Sequence, residues 1–220
     1  MSHTAGIVYG PPAFVETRPE VIAGAIAAAR IGDLVTVGPG GLDATPLPLL
    51  FEAGGEHGAL VGHLARANPQ WREFDAAREA LVIFRSADAY VSPSMYPSKA
   101  EHGKVVPTWN YCTIHAYGPL VVHNDLPWVE ALVRRLTQRH EASRPTPWAV
   151  EDAPAAFVAH MLRAIVGIEV PITRLHAKWK LSQNRSQADI DGVCRDLASG
   201  TPGDRKLASA MREASREPPG

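Results

Sequence analysis

Apolar positions recur along the chain at two different spacings. Over residues 126–140, Trp128, Leu132 and Leu136 fall on one stripe, which predicts a helix that packs on one side only. Over residues 105–123 the period is two, because large aromatic or polar side chains alternate with small or apolar ones. This alternation predicts a long strand with one face toward a core and the other toward a ligand or a second subunit.

The other elements follow from short apolar runs and their boundaries. Thr17 and Glu20 have capping-box spacing, so a helix of about three turns is predicted to follow them and to end at Gly32. Pro46 and Pro48 remove alternate N–H donors, so their strand is expected to be an edge or to be irregular there. Further strands are predicted at 34–37, 44–51, 59–64, 80–86 and 166–175, and further helices at 154–165 and from about 187.

Strands dominate the middle of the chain and helices its flanks. The regular alternation of strand and helix that marks a parallel sheet is missing, so the pattern predicts an antiparallel barrel or sandwich with peripheral helices. The fold class is therefore mainly β within α+β, in one domain over residues 1–198. Residues 199–220 are polar apart from Leu207 and Met211, so a marginal, frayed helix is expected there.

Charge balance limits the classes of partner. The 220 residues include 22 Lys and Arg against 23 Asp and Glu, a formal net charge of -1. Direct DNA binding is doubtful on this balance, because affinity for a phosphate backbone comes from clustered basic residues. Near-zero charge also favours self-association. One basic grouping is present, and it is interpreted as a solvated helix face: Arg134, Arg135, Arg139, His140 and Arg144.

Cysteine usage and hydropathy bear on the cellular compartment. Cys112 and Cys194 are far apart and belong to no metal-ligand spacing, which favours a reducing compartment and argues against a metal site. The first residues lack a basic start followed by an apolar stretch, and no run of 18 apolar residues occurs. A cytoplasmic protein without a membrane segment is expected.

Four segments next to predicted strands are dense in polar and aromatic residues: GHLARANPQW (62–71), YVSPSMYPSKAEHGK (90–104), VPTWNY (106–111) and KWKLSQNR (178–185). GHLARANPQW, PTWNY followed by HAYG, and KLSQNR, in this order, resemble the PaiB-type family of FMN-binding negative transcriptional regulators over about residues 9–197. The resemblance implies a six-stranded antiparallel FMN-binding split barrel, related to the pyridoxamine-phosphate oxidases. It also implies a homodimer with the flavin at the subunit interface.

FMN carries a phosphate with close to two negative charges, and the chain has no glycine-rich nucleotide loop, so side chains have to bind it. On the resemblance, Arg66 is the candidate phosphate ligand, with His63 and Asn68 as neutral partners and Lys180 adding charge. Each of the first three residues has a plainer interpretation. Arg66 would be a solvated loop arginine, His63 a structural histidine and Asn68 a turn former before proline.

Candidates for contact with the isoalloxazine ring lie in the last two segments. Trp109 would stack against the flavin or fill a dimer interface. Thr108 and Asn110 offer a hydroxyl and an amide to the ring heteroatoms. Ser182 and Gln183 are candidates for the same role, or for capping a helix that begins near residue 186.

Two functions stay open at this point. The first is the FMN-binding regulator; the second is an FMN-dependent oxidoreductase acting on a small molecule, with Tyr96, Lys99 and His102 as candidate substrate contacts. Haem binding is a remoter alternative without an attachment motif, and a Ser-His-Asp hydrolase is disfavoured because no GxSxG elbow occurs.

The chain departs from the family pattern at two positions. Pro46 stands where family members tend to have a histidine, and Met95 stands where a tryptophan is usual. Methionine replaces a rigid wall by a flexible, polarizable one, so flavin affinity or the substrate pocket is expected to differ.

Overall fold

The structure is a computed structural model that describes residues 9–216. Its strands are β1 (Val15–Glu16), β2 (Gly32–Gly38), β3 (Gly41–Leu47), β4 (Leu49–Glu52), β5 (Ala59–Ala65), β6 (Ala80–Val91), β7 (Thr108–Gly118), β8 (Val121–His123), β9 (Ile165–Pro171) and β10 (Arg174–Lys180). Its α-helices are α1 (Pro19–Ala28), α2 (Ser98–His102), α3 (Leu126–Glu141), α4 (Ala155–Arg163), α5 (Gln187–Ala198) and α6 (Pro202–Arg216). Short 3-10 helices lie at Pro12–Phe14, Pro69–Trp71, Pro93–Met95 and Val150–Asp152.

The strands form two sheets. A six-stranded antiparallel sheet has the order β1-β10-β7-β6-β2-β3, and a four-stranded sheet has the order β4-β5-β9-β8. The α+β class with a six-stranded antiparallel sheet, expected from the sequence, is confirmed. No helix among residues 9–216 has both the length and the apolarity of a bilayer-spanning segment.

The described chain divides into two compact units. Unit 1 comprises residues 9–18, 85–114 and 176–216, and unit 2 comprises residues 19–84 and 115–175. The division of the chain at residue 198 stays a prediction.

The strand predicted at 44–51 is two strands in the structure. The chain leaves β3 at Leu47 and enters β4 at Leu49, and these strands are edges of different sheets. Pro48 lies at the break. Because it has no N–H to donate, it cannot continue the hydrogen bonding of a strand at this position. The expectation of an edge or an irregularity at the prolines is confirmed, whereas the bounds 44–51 for a single strand were wrong. The strand expected at 166–175 also ends early, at Pro171, and β10 follows it.

Unit 2 packs α3 on the four-stranded sheet. Leu132 and Leu136 of α3 are buried with Leu50 and Val61, and Trp128 packs against this cluster. The one-sided helix predicted from the stripe is therefore confirmed. Its start follows from Asp125, which accepts a hydrogen bond from the Trp128 N–H and caps the helix.

Unit 1 packs α5 and α6 on strands of the six-stranded sheet. Leu207, Ala208 and Met211 of α6 are fully buried in a cluster with Val193 of α5 and Cys112 of β7. The marginal, frayed helix expected after residue 199 was therefore wrong for residues 202–216, while 217–220 lie outside the described residues. The few apolar residues suffice because they share one face of the helix.

A capping box begins α6. The Thr201 hydroxyl accepts a hydrogen bond from the Asp204 N–H at 3.2 Å, and the Thr201 N–H donates to the Asp204 carboxylate at 2.8 Å. The hydrogen bonds from Thr201 lower the pKa of Asp204. The spacing T-x-x-D of Thr201 and Asp204 is a sequence signal for the start of this helix. The prediction of a frayed helix followed instead from the polar composition of residues 199–220.

The long alternating strand is confirmed as β7, which ends at Gly118. Asn110, Cys112, Ile114 and Ala116 are buried, while the odd-numbered residues from Trp109 to Tyr117 are half-buried or exposed. The small-residue face thus packs inward, as the alternation predicted.

Candidate functional site

Arg66 lies in unit 2, in the turn that follows β5. Its guanidinium donates from Nε to Arg163 O at 2.8 Å, from Nη2 to Ile165 O at 2.8 Å and from Nη1 to Asn124 Oδ1 at 3.0 Å. A guanidinium has five N–H donors, so two remain for another ligand. Arg66 is a positioned arginine rather than the freely solvated one that was the alternative.

His63 and Asn68 flank Arg66 with different environments. His63 is half-buried on β5, and its buried Nδ1 has no hydrogen-bond partner among residues 9–216. Burial lowers the pKa of His63, so the neutral imidazole is favoured. Asn68 accepts a hydrogen bond from the Gln70 N–H at 2.9 Å and donates to the Thr45 hydroxyl at 3.0 Å. Asn68 therefore caps the short helix at Pro69–Trp71, which is the turn-forming role.

Gln70 fixes this turn and was missed by the sequence analysis. It is fully buried, and its amide Nε2 is within donating distance of Leu34 O, Thr36 Oγ1 and Asp43 O, at 3.1 to 3.3 Å. These acceptors belong to β2 and β3. The signal available for it was a polar residue directly after an Asn-Pro turn in a dense polar segment.

Lys180 lies in unit 1, at the end of β10. Its ammonium donates to the Thr108 hydroxyl and to Trp109 O, the latter at 2.6 Å. Burial lowers the pKa of Lys180, as does the charge of Lys178, while Tyr111 opposes the shift. Lys180 and Lys178 lie 6.0 and 5.6 Å from the centre of the Tyr111 ring. The structure thus brings Thr108 and Lys180 together, as two of the predicted site residues.

Trp109 presents a flat aromatic surface on the same strand. Half of it is exposed, its indole N–H donates to Asp88 Oδ1 at 3.0 Å, and its ring centre lies 6.1 Å from that of Tyr90. Asp88 and Tyr90 were missed by the sequence analysis. The alternation of exposed and buried residues at the end of β6 was the signal that could have found them.

Asn110, Ser182 and Gln183 use their polar atoms within unit 1. Asn110 and Ser182 are buried and hydrogen-bonded to each other at 2.9 Å. Gln183 accepts from the Leu181 N–H at 2.8 Å and donates to Trp179 O at 2.5 Å. Ser186 is the residue that caps α5. Ser182 and Gln183 therefore do not cap that helix, and their flavin contact stays a prediction.

The three candidate substrate contacts are not all together. Tyr96 and Lys99 line a cavity of about 730 Å³ in unit 1. Met95, one of the departures from the family pattern, lines it as well. His102 is not among the lining residues, and its Nδ1 accepts a hydrogen bond from the Lys104 N–H at 3.0 Å.

Each unit, taken by itself, offers a donor group that fits a phosphate-bearing ligand. Arg66 and Lys180 are both held by neutral oxygens, and within residues 9–216 no carboxylate lies at ion-pair distance from either one. Their positive charge is therefore not neutralised by the protein, which is what an anionic ligand requires. Trp109 supplies an exposed aromatic face of the kind that stacks on a flat ring.

Comparison with known proteins gives the same result. The chain is 32% identical over 207 residues to the "Protease synthase and sporulation protein PAI 2" of Bacillus subtilis, which covers 94% of this chain and 97% of that protein. Among solved structures, the flavocytochrome Anf3 of Azotobacter vinelandii has a TM-score of 0.56 at 12% identity, covering 81% of this chain and 75% of that one. The FAD and haem binding protein of Mycobacterium smegmatis has a TM-score of 0.54 at 17% identity, covering 85% and 80%.

The fold and the family match together define a flavin-binding protein of the split-barrel class. The chain belongs to the family described as "Putative FMN-binding domain", which matches residues 8–174. The resemblance noted from the sequence is thereby confirmed, and so is FMN as the cofactor.

Proposed function

We propose that this protein is a homodimeric FMN-binding regulator of the PaiB type, in which Arg66 holds the phosphate of the flavin. The observation that carries the phosphate assignment is the guanidinium itself, which three neutral acceptors orient while two of its N–H donors and its charge stay available. The name of the Bacillus subtilis relative connects that protein with protease synthesis and sporulation. A regulatory role for this chain is inferred from that likeness.

Exposed apolar side chains of unit 1 support the homodimer. Tyr9, Tyr90, Val106 and Trp109 are each about half exposed or more. Tyr90 and Trp109 are neighbours, with ring centres 6.1 Å apart. Adjoining exposed apolar side chains are typical of an interface, and a net charge of -1 opposes association only weakly. Cys112 and Cys194 are free and buried, which supports a reducing compartment such as the cytoplasm.

FMN binding and dimerisation are tested on the purified full-length chain. We expect the flavin absorption bands to shift saturably on titration with FMN, and light scattering after size exclusion to give twice the chain mass of 23.7 kDa. Unsaturable FMN binding would overturn the flavin assignment, and a mass of one chain in the presence of FMN would overturn the dimer.

A second candidate is an FMN-dependent oxidoreductase. The basic residues on α3 favour this candidate over direct regulation, because a DNA-binding surface would need these residues unpaired. Arg134 pairs with Glu130 and Glu151, and Arg135 pairs with Glu52. When bound, FMN supplies hydride and electron transfer, so the protein has only to bind and orient its reactants.

Two measurements on the FMN-loaded protein separate the candidates. Salt-dependent, sequence-selective retention of DNA would support direct regulation. Bleaching of the flavin by NADH or NADPH, followed by reoxidation with a small-molecule acceptor, would support the oxidoreductase. If neither result is obtained, the protein can act as a regulator only through a protein partner.

A further inference from the structure

The cavity of unit 1 lies where the turn at 94–100 meets α5 and has a volume of about 730 Å³. A volume of this size suits a small organic ligand. Met95, Pro97 and Ala100 give it an apolar wall. None of its lining residues is among the candidate FMN contacts, so a ligand bound in this cavity would be a different molecule.

Two contacts fix the wall of the cavity. Gly192 of α5 lies so close to the 94–100 turn that a Cβ at this position would be 2.3 Å from Met95 O. Asp189, one turn earlier on α5, accepts hydrogen bonds from the Ser98 N–H at 3.1 Å and the Ser98 hydroxyl at 2.8 Å. The cavity is therefore built by packing and hydrogen bonds and does not need a ligand to form.

The charged residues of the lining favour an anion. Lys99 and Arg195 are exposed, and no carboxylate within residues 9–216 lies at ion-pair distance from either side chain. Asp196 is the acidic residue of the lining, so the lining carries a net charge of about +1. A net positive charge favours an anionic ligand group such as a carboxylate.

Tyr96 contributes to the wall of the cavity, but its hydroxyl is closed off from solvent. Its side chain is 2% exposed, and its buried hydroxyl has no hydrogen-bond partner among residues 9–216. The Arg185 guanidinium lies 5.1 Å from the ring centre. The polar contacts of a ligand in the cavity therefore fall to Lys99 and Arg195.

We infer that this cavity is a binding site for a small organic carboxylate with an apolar body, distinct from the FMN site. Lys99 and Arg195 attract the carboxylate, and the Met95 wall packs against the apolar body. A position at the C-terminal end of α5 also lets Arg195 stabilise that helix end, so the test has to read the cavity itself.

Methionine methyl signals give such a readout. In protein labelled with 13C at the methionine methyl group, Met95 reports the cavity, Met211 reports the core of unit 1 and Met161 on α4 is a remote control. Benzoate is the probe, and benzyl alcohol is its neutral counterpart. We expect benzoate to shift the Met95 signal saturably in the FMN-loaded protein, with Met161 unchanged, and benzyl alcohol to bind several-fold more weakly.

Charge variants sharpen the test. At low salt, Lys99→Gln and Arg195→Gln are each expected to weaken benzoate about fivefold, and Asp196→Asn to tighten it by a similar factor. Tyr96→Phe is the control and should leave the benzoate affinity within about twofold, because the hydroxyl is closed off from the cavity. An unchanged Met211 signal shows that the core of a variant is intact. The inference is overturned if benzoate leaves Met95 unshifted, or if its affinity equals that of benzyl alcohol or ignores the charge variants. The methyl signal of Met95 is also measured in the absence of FMN, so a failure of flavin binding would not obscure the result.

Discussion

Asn110 and Ser182 form a reciprocal pair in the core of unit 1. Asn110 Nδ2 donates a hydrogen bond to Ser182 Oγ at 2.9 Å, and the Ser182 hydroxyl is within donating distance of Asn110 Oδ1, at 3.4 Å. The pair joins PTWNY on β7 to KLSQNR after β10, two of the segments on which the resemblance noted from the sequence rests. Ser182 also adopts a left-handed backbone with φ of 68°, which is unusual for a residue other than glycine.

Replacing Asn110 by alanine is expected to destabilise the protein by about 1 to 3 kcal/mol, because the Ser182 hydroxyl is left buried without its partner. The free energy of unfolding in urea measures this loss. Gln187→Ala is the matched control, since it removes a side-chain hydrogen bond to Asp191 on the exposed face of α5. That control should cost less than about 0.5 kcal/mol. Equal losses in the two variants would contradict a structural role for the pair.

The fold was predictable in elements with a strong apolar pattern, but not in α6, whose buried face holds few apolar residues. The period of two in β7 and the stripe on α3 both gave the correct burial, because these patterns record which side of an element meets the core. The strand at 44–51 was predictable as an edge, since Pro46 and Pro48 lack donors. The change of sheet at Pro48 was not predictable, because it depends on which partner strands are available.

The phosphate assignment predicts how two cations affect binding. Arg66→Ala should weaken FMN about tenfold or more while changing riboflavin much less, because only FMN carries the phosphate that a charge-assisted hydrogen bond holds. Arg66→Lys keeps the charge but loses the fork to Arg163 O and Ile165 O, so partial retention of FMN is expected. Fluorescence quenching of each flavin on binding measures both affinities.

Lys180→Gln is the competing variant in this experiment. If it lowers the ratio of FMN to riboflavin affinity and Arg66→Ala does not, the phosphate belongs to Lys180 instead. Equal weakening of both flavins by Arg66→Ala would mean that Arg66 acts by positioning the segment at 163–165.

The buried face of α6 predicts a large cost for a small truncation. Leu207 is fully buried in unit 1, so Leu207→Ala should lower the free energy of unfolding by about 2 to 5 kcal/mol through the cavity it leaves. Met161→Ala on α4 is the control, because Met161 is 47% exposed and should cost under about 1 kcal/mol. A loss below 1 kcal/mol for Leu207→Ala would mean that α6 frays in solution, as the polar composition alone suggested.

The roles of individual residues in the candidate site were hard to predict. Asn68 and Gln183, for example, turned out to bond within their own turns. The sequence does not reveal such pairing, because a side chain that satisfies local backbone looks the same in sequence as one that awaits a ligand. Tyr96 and Lys99 shared a cavity, whereas His102 bonded to its own loop.

The bond between Asp189 and Ser98 predicts a pH dependence of stability. Burial alone would raise the pKa of Asp189, but the N–H and hydroxyl of Ser98 and the hydroxyl of Ser186 favour the carboxylate and hold its pKa below the ordinary value. A pKa that is lower in the folded state contributes stability above the unfolded value of about 3.9, and the contribution disappears as the pH falls through the folded value.

Asp189→Asn should therefore be less stable than the wild type at pH 7, and the gap in free energy of unfolding should be constant down to about pH 5 and shrink below about pH 4. Urea titrations at a series of pH values measure the gap. Asp191→Asn, on the exposed face of α5, is the matched control and should stay within about 0.5 kcal/mol of the wild type throughout. A gap for Asp189→Asn that widens on acidification would contradict the sign of the shift, because it would require the folded state to prefer the protonated carboxyl.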